Sequence, residues 1–171
     1  MNFYEVVSSR SSIRRFDSER KIPEDLLRRI LEAGRLAPSA KNLQPWKFIV
    51  VSSPDMLKQI HACYAREWLQ TAPHLLIVTG DRNAAWVRTR DGYNSIETDL
   101  TIAMDHLILA ATSEGIGTCW IAAFDEPMLR SALGLRPEEV VFAFTPLGYA
   151  AQGATPLPKT RKPLEEVVKF L

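Results

Sequence analysis

The sequence predicts an α+β fold: a mixed, largely antiparallel central sheet covered by helices on both faces. Three observations carry that expectation. Short apolar runs at Phe48–Val51, Leu75–Val78 and Val140–Phe144 are bounded by turn residues, as buried strands are. Amphipathic patterns long enough for helices lie between them, the longest over 95–114. The 171 residues suit one domain rather than two. Strands are expected near 13–16, 47–52, 74–80, 117–122 and 140–146, and residues 1–171 are expected to share one core.

Lys plus Arg number 21 and Asp plus Glu 20, so no overall field draws the chain to nucleic acid or an anionic membrane. Any cation site must therefore be local. The first twenty residues hold arginines but no apolar leader, and no later window is long and uncharged enough to span a bilayer, which reads as a cytoplasmic protein. Cys63 and Cys119 lie far apart and outside any C-x-x-C spacing, so no metal site, dithiol pair or disulfide framework is expected.

Asn2-Phe3-Tyr4-Glu5 has capping-box spacing and should open a short helix carrying Phe3, Val6 and Val7 inward. After it come Arg10, Ser11, Ser12 and Arg14. Two guanidinium groups four apart with hydroxyls between them suit a phosphate, and equally suit a solvated basic connection. Pro23, Glu24 and Asp25 open a helix of about four turns with Leu26, Leu27, Ile30, Leu31 and Gly34 on one face. That pattern stops at Pro38. From there to Trp46 runs a polar loop held at both ends by rigid structure. Ser39, Asn42 and Gln44 can each donate and accept hydrogen bonds, as a flat heterocycle with alternating carbonyls and ring nitrogens requires. An ordinary helix-to-strand connection has the same composition.

Ser53-Pro54 should begin a helix with Leu57, Ile60, Tyr64 and Trp68 as a core stripe, ended by Ala72-Pro73. Between Asp81 and Asn94 periodicity lapses, and Trp86 and Tyr93 are expected in a mobile lid over a substrate face. Asn94-Ser95-Ile96-Glu97 looks like a second capping box. It opens a helix whose Ile96, Leu100, Met104, Leu107, Ile108 and Ala111 suit a central or dimer-interface position, with His106 structural. Gly115-Ile116-Gly117 lacks the third glycine of a dinucleotide fingerprint and follows a helix, so a Rossmann site is rejected; its small residues would let backbone approach a planar ligand. Asp125 caps a short helix ending at Gly134. In the polar tail, Lys159 and Arg161 place two cations around a hydroxyl, where a frayed basic end is the plain alternative.

Four separated stretches, in this order, closely resemble the FMN-dependent nitroreductase family. They are Arg10-x-Ser12-x-Arg14, Ala37-Pro38-Ser39-Ala40-x-Asn42-x-Gln44-Pro45-Trp46, Gly115-Ile116-Gly117-x-Cys119-Trp120, and Lys159-x-Arg161. The resemblance implies that Arg10, Ser12 and Arg14, with Ser11 where a second basic residue is common, hold the FMN phosphate together with Lys159 and Arg161. It assigns Pro38, Ser39, Ala40, Asn42 and Gln44 to the flavin ring. Ala122 and Ala123 match positions whose amides face the N5 edge, and Arg66 stands near where relatives carry a Gln or Asn. Cys119 becomes a core residue beside the cofactor, since no His or Asp is placed to activate it. The resemblance further implies an intertwined homodimer with flavins at the subunit interface, the 38–42 loop serving the partner's flavin and residues 150–171 wrapping the neighbour. The implied activity is hydride transfer from NAD(P)H through FMN to a nitroaromatic, quinone or similar small acceptor, the cofactor carrying the chemistry without a protein acid or base. Dehalogenation or dehydrogenation on the same fold, or a non-catalytic flavin- or nucleotide-binding module, are the alternatives.

Overall fold

The computed structural model describes residues 1–171, and a three-stranded antiparallel sheet in the order β1-β2-β3 lies at its centre. β1 is Trp46–Val51, β2 His74–Asp81 and β3 Glu139–Leu147. β2 takes the middle because its side chains are apolar on both faces: every residue from His74 to Gly80 is buried. The register sets Trp46 opposite Gly80 and Val51 opposite Leu75, with His74 opposite Leu147 on the other side.

Period-two alternation divides the core. Leu76 and Val78 face a layer built from α2 (Glu24–Arg35) and α4 (Ile96–Ser113), packing with Ile30, Met104 and Leu107. Leu75 and Ile77 face α3 (Pro54–His61) and α5 (Glu126–Leu133), packing with Ile60, Leu129 and Phe144. Helices thus cover both faces, as expected. No helix is long and apolar enough to cross a membrane.

The expected strands at 13–16 and 117–122 form only isolated pairings: Ser12 with Thr118 in parallel, Phe16 with Ala150, Gly117 with Gly148 and Ile121 with Phe144. Hydroxyls from elsewhere interrupt the ladder. The Phe16 amide donates to Thr71 Oγ1 at 3.0 Å and the Cys119 amide to Thr145 Oγ1 at 3.0 Å, so neither amide is left for a neighbouring strand.

Helix α1 (Phe3–Ser9) does start with a capping box, the Glu5 amide donating to Asn2 Oδ1 and the Asn2 amide to Glu5 Oε2. Only Val6 is buried, however; Phe3 is 66% and Val7 44% exposed, so the helix meets the body along a single narrow line. Helix α3 ends at His61, and Tyr64 reaches the core from the turn that follows, edge-on to Phe144 at 6.2 Å and to Trp68 at 6.0 Å.

Helix α4 opens differently from the expected capping box. The Ile96 amide donates to Asn94 Oδ1 at 3.0 Å, a short Asx turn, while the Ser95 hydroxyl donates to Asp99 Oδ2 at 2.7 Å, which leaves no cap for Glu97 to complete. All of its expected apolar residues are buried within the one chain, and Leu107 has no exposed surface. The helix is therefore central, and its apolar stripe is not available as an outer interface. The 81–94 segment is an internally bonded turn: Arg88 pairs with Asp91 at 2.7 Å and its amide donates to Tyr93 O at 2.8 Å. Trp86 is half-buried and Tyr93 is 38% exposed.

Candidate functional site

The chain leaves α1 through Arg10 and runs alongside Thr118, the Ile13 amide donating to Thr118 O at 2.8 Å. The far end of the sequence returns over this segment. Arg10, Ser11, Ser12 and Arg14 face residues 157–161 across a cavity of about 180 Å³. Two basic motifs from opposite ends of the chain thus share one wall-to-wall site. An adjoining cavity of about 310 Å³ shares Ser12, Arg14 and Leu157 and adds Ile13, Arg15 and residues 153–156.

Four cations gather at this cavity, and their closeness is what sets it apart, since exposed Arg15, Arg66, Arg82 and Arg90 elsewhere also pair with no carboxylate. Arg28, Arg29, Arg35, Arg88, Arg130 and Arg136 each pair with a carboxylate, whereas Arg10, Arg14, Lys159 and Arg161 pair with none. Desolvation lowers the Lys159 ammonium's pKa, and the charges of Arg10 and Arg161 lower it further. Like charges gathered without a counter-ion are what a multiply charged anion neutralises. The hydroxyls of Ser11 and Ser12 make no bond within the chain and add two more groups able to donate. Lys159 Nζ also donates to the carbonyls of Val7 and Ser8, the unsatisfied acceptors at the C-terminal end of α1, and so ties the tail to that helix.

The 38–46 loop is built around a 3-10 turn, Ala40–Asn42. Lys41, Asn42 and Gln44 have φ of 50°, 56° and 50°, and they are the chain's only non-glycine residues at positive φ. Each costs about 1–2 kcal/mol relative to a right-handed conformation. Internal bonds hold the shape: the Gln44 amide donates to Ser39 Oγ at 2.9 Å, the Asn42 amide to Ser39 O at 2.9 Å, and Gln44 Nε2 to Asn42 O and Oδ1, both at 3.2 Å. Two bonds fasten it to the body. The Ala40 amide donates to Asp99 Oδ1 at 2.9 Å and the Asp81 amide to Pro45 O at 2.9 Å. What remains free is the Ser39 hydroxyl proton, the Asn42 Nδ2 donors and the Gln44 Oε1 acceptor.

Gly117 allows a close approach, but to the protein itself. A Cβ there would meet Ile13 Cγ1 at 3.0 Å and Gly148 O at 3.1 Å, so the missing side chain lets the segment at Ile13 and the sheet margin touch. Ala122 and Ala123 are exposed just after Ile121, which pairs with Phe144. Cys119 is buried, its amide held by Thr145. Arg66 is an exposed residue at the start of the 3-10 turn Glu67–Thr71 and lines neither cavity. The 38–44 loop lines neither cavity as well.

The model of the Nitroreductase family matches residues 7–62 and 55–149 of this chain. The chain belongs to the nitroreductase family. It is 35% identical over 149 residues to a protein of Archaeoglobus fulgidus provisionally named NADH dehydrogenase/NAD(P)H nitroreductase, spanning 84% of this chain and 83% of that one. It is 28% identical over 197 residues to iodotyrosine deiodinase 1 of Rattus norvegicus, spanning 97% of this chain and 68% of that one. The crystal structure of a nitroreductase family protein from Clostridium difficile 630 superposes with a TM-score of 0.91 at 28% identity, covering 99% and 98% of the two chains. Another, of a protein from Desulfovibrio desulfuricans provisionally named a nitroreductase and in complex with FMN, superposes with a TM-score of 0.83 at 25% identity, covering 100% and 97%.

Within this nitroreductase-family chain, the residues matched by the family model stop at Tyr149, so Lys159 and Arg161 join the site through the cavity and through the bonds of Lys159 to the end of α1. Asp99 is the residue that sequence reasoning missed. Its signal was a single carboxylate on the otherwise buried face of α4, one turn after Ser95.

Proposed function

We propose that the protein is an FMN-dependent oxidoreductase that takes hydride from NAD(P)H and passes the electrons to a small acceptor, a nitroaromatic or a quinone. The observation that carries this reading is the convergence of Arg10, Arg14, Lys159 and Arg161, all without carboxylate partners, on one small cavity. Cations and serine hydroxyls in that arrangement suit a phosphate monoester. The free groups of the 38–46 loop, donors on Ser39 and Asn42 and an acceptor on Gln44, suit the alternating acceptors and single N–H of a flavin's pyrimidine edge. The residues therefore fit FMN.

Bound FMN would supply the reversible hydride acceptance. The four cations and Ser11 and Ser12 would hold the phosphate. Ser39 and Asn42 would donate to the ring's oxygen-bearing edge, where preformed donors stabilise negative charge as it develops. Ala122 and Ala123 offer backbone amides at an exposed sheet margin, and Arg66 is proposed as a peripheral contact. No side chain is needed to move a proton.

This reading includes a homodimer. We read the ring loop, which lines neither phosphate cavity of its own chain, as serving a flavin anchored on a second copy. The exposed Phe3, Val7, Leu164, Val167 and Phe170 support a tail, residues 150–171, that wraps the neighbour. Reductive dehalogenation on the same flavin is the second reading, supported by the likeness to iodotyrosine deiodinase. The test is the visible spectrum of the purified protein, before and after NADH or NADPH is added without oxygen. A flavin band that bleaches and returns on adding a quinone or nitroaromatic supports the main reading, return with a halophenol alone supports the second, and protein that takes up no FMN overturns both.

A further inference from the structure

The strain of the chain is concentrated in one loop, and one buried charge is attached to it. Asp99 is 1% exposed and forms no ion pair, yet both of its oxygens are used: Oδ1 accepts from the Ala40 amide at 2.9 Å and Oδ2 from the Ser95 hydroxyl at 2.7 Å. A buried carboxylate without a cation is costly, so its position calls for a compensating role. It lies in the first turn of α4, where the helix's positive end offsets part of that cost and the surrounding core holds the side chain rigid. The amide it holds belongs to the residue directly before Lys41, the first of the three residues at positive φ.

We infer that Asp99 is a positioning residue for the flavin ring: it pins Ala40, and through it keeps Lys41, Asn42 and Gln44 in the left-handed conformation that presents the free groups of Ser39, Asn42 and Gln44 together. This rests on the proposed FMN function. Without the pin, the Ala40 amide can turn toward water and the strained residues relax toward right-handed conformations. Ser95 takes part by orienting the carboxylate, since its hydroxyl holds the oxygen that the loop does not use. Asparagine at 99 keeps an acceptor for the Ala40 amide and can donate to Ser95 Oγ, whereas alanine keeps neither bond.

The test has two arms. In the first, the purified protein is digested briefly with trypsin, and cleavage after Lys41 is measured against cleavage after Lys58. Asp99→Ala should raise that ratio about five-fold or more and Asp99→Asn should restore it to near the original value. In the second, release of FMN and of riboflavin on dilution is followed by free-flavin fluorescence. Asp99→Ala should weaken both by a similar factor, about ten-fold, leaving their ratio unchanged, because the phosphate site is untouched; a change that merely destabilised the fold would raise cleavage after Lys58 together with that after Lys41 and leave the trypsin ratio where it was. If Asp99→Ala does not fold, Ser95→Ala carries the test, with the same direction at about three-fold. Unchanged Lys41 cleavage and unchanged affinities in these variants overturn the inference, as does a loss confined to FMN. Wild-type protein that binds neither flavin overturns the proposed function instead, while the trypsin arm still reports on the pin.

Discussion

Gly34 of α2 lies directly against Leu107 of α4: a Cβ at position 34 would stand 2.6 Å from both Leu107 Cγ and Cδ2. The two helices can meet this closely only because position 34 has no side chain, and Leu107 fills the space with no exposed surface of its own. Gly34→Ala is expected to cost about 1–3 kcal/mol by overpacking, and Leu107→Ala about 2–5 kcal/mol by leaving a cavity. Since the added methyl would enter that cavity, the double variant should lose less than the sum of the two, which urea unfolding of all three proteins would measure. A strictly additive result would mean that the helices shift apart instead.

Arg14→Ala and Arg161→Ala should each weaken FMN binding about 10- to 100-fold, the worth of one charge-assisted hydrogen bond of about 1.5–3 kcal/mol. Riboflavin affinity should hardly change, because it lacks the phosphate. Arg28→Ala is the control, since Arg28 is exposed and already paired with Glu24 at 2.6 Å. Isothermal titration across the set, repeated at high salt, would reveal whether the cations act together.

His74 gives the fold a pH limit. It is buried; Nε2 accepts from the Ile22 amide at 3.2 Å and Nδ1 bonds to Ser52 Oγ at 2.7 Å, so the neutral ring with its proton on Nδ1 satisfies both contacts. Burial lowers its pKa, and the nearby Lys21 charge lowers it further. Burial shifts His61 in the same direction. A histidine kept neutral by folding contributes stability that is complete above its unfolded pKa of about 6.5 and is lost as pH falls from there toward the depressed folded value. Thermal unfolding between pH 7.5 and 5 should therefore show Tm falling with pH below about 6.5. His74→Gln, which keeps an acceptor for Ile22, should flatten that fall. An unchanged slope would assign it to His61.

Gly80 links the sheet to the 38–46 loop. A Cβ there would lie 2.7 Å from Pro45 O and 2.9 Å from Ile96 Cδ1 and Leu100 Cδ2. Gly80→Ala should cost about 1–3 kcal/mol and displace Pro45, whose carbonyl accepts from Asp81. Flavin affinity should fall along with stability, whereas Leu129→Ala, in the core layer on the other face of the sheet, should lower stability alone. Paired melting and flavin-release measurements separate the two.

Much of the fold was legible in the residues themselves. β2 and α4 announced themselves because burial follows a period that a single element imposes: Leu75 to Val78 is apolar at every position, and Ile96, Leu100, Met104, Leu107 and Ala111 recur at helical spacing. The loop chemistry of Ser39, Asn42 and Gln44 was legible too, since donors and acceptors belong to residue types. Which of their atoms stay free was not, because that depends on the bonds closed inside the loop and on Asp99, fifty-nine positions from Ala40. The expected strands at 13–16 and 117–122 were interrupted by Thr71 and Thr145, whose hydroxyls reach them only once the chain has folded. Nor could spacing alone decide whether the cations at 10–14 and 159–161 are two solvated stretches or one anion site. Local sequence sets the face a residue presents, through the fixed geometry of helix and strand. Pairings between distant segments exist only in the folded chain, as where Lys159 reaches the carbonyls of Val7 and Ser8 and the two ends of the chain meet at a single cavity.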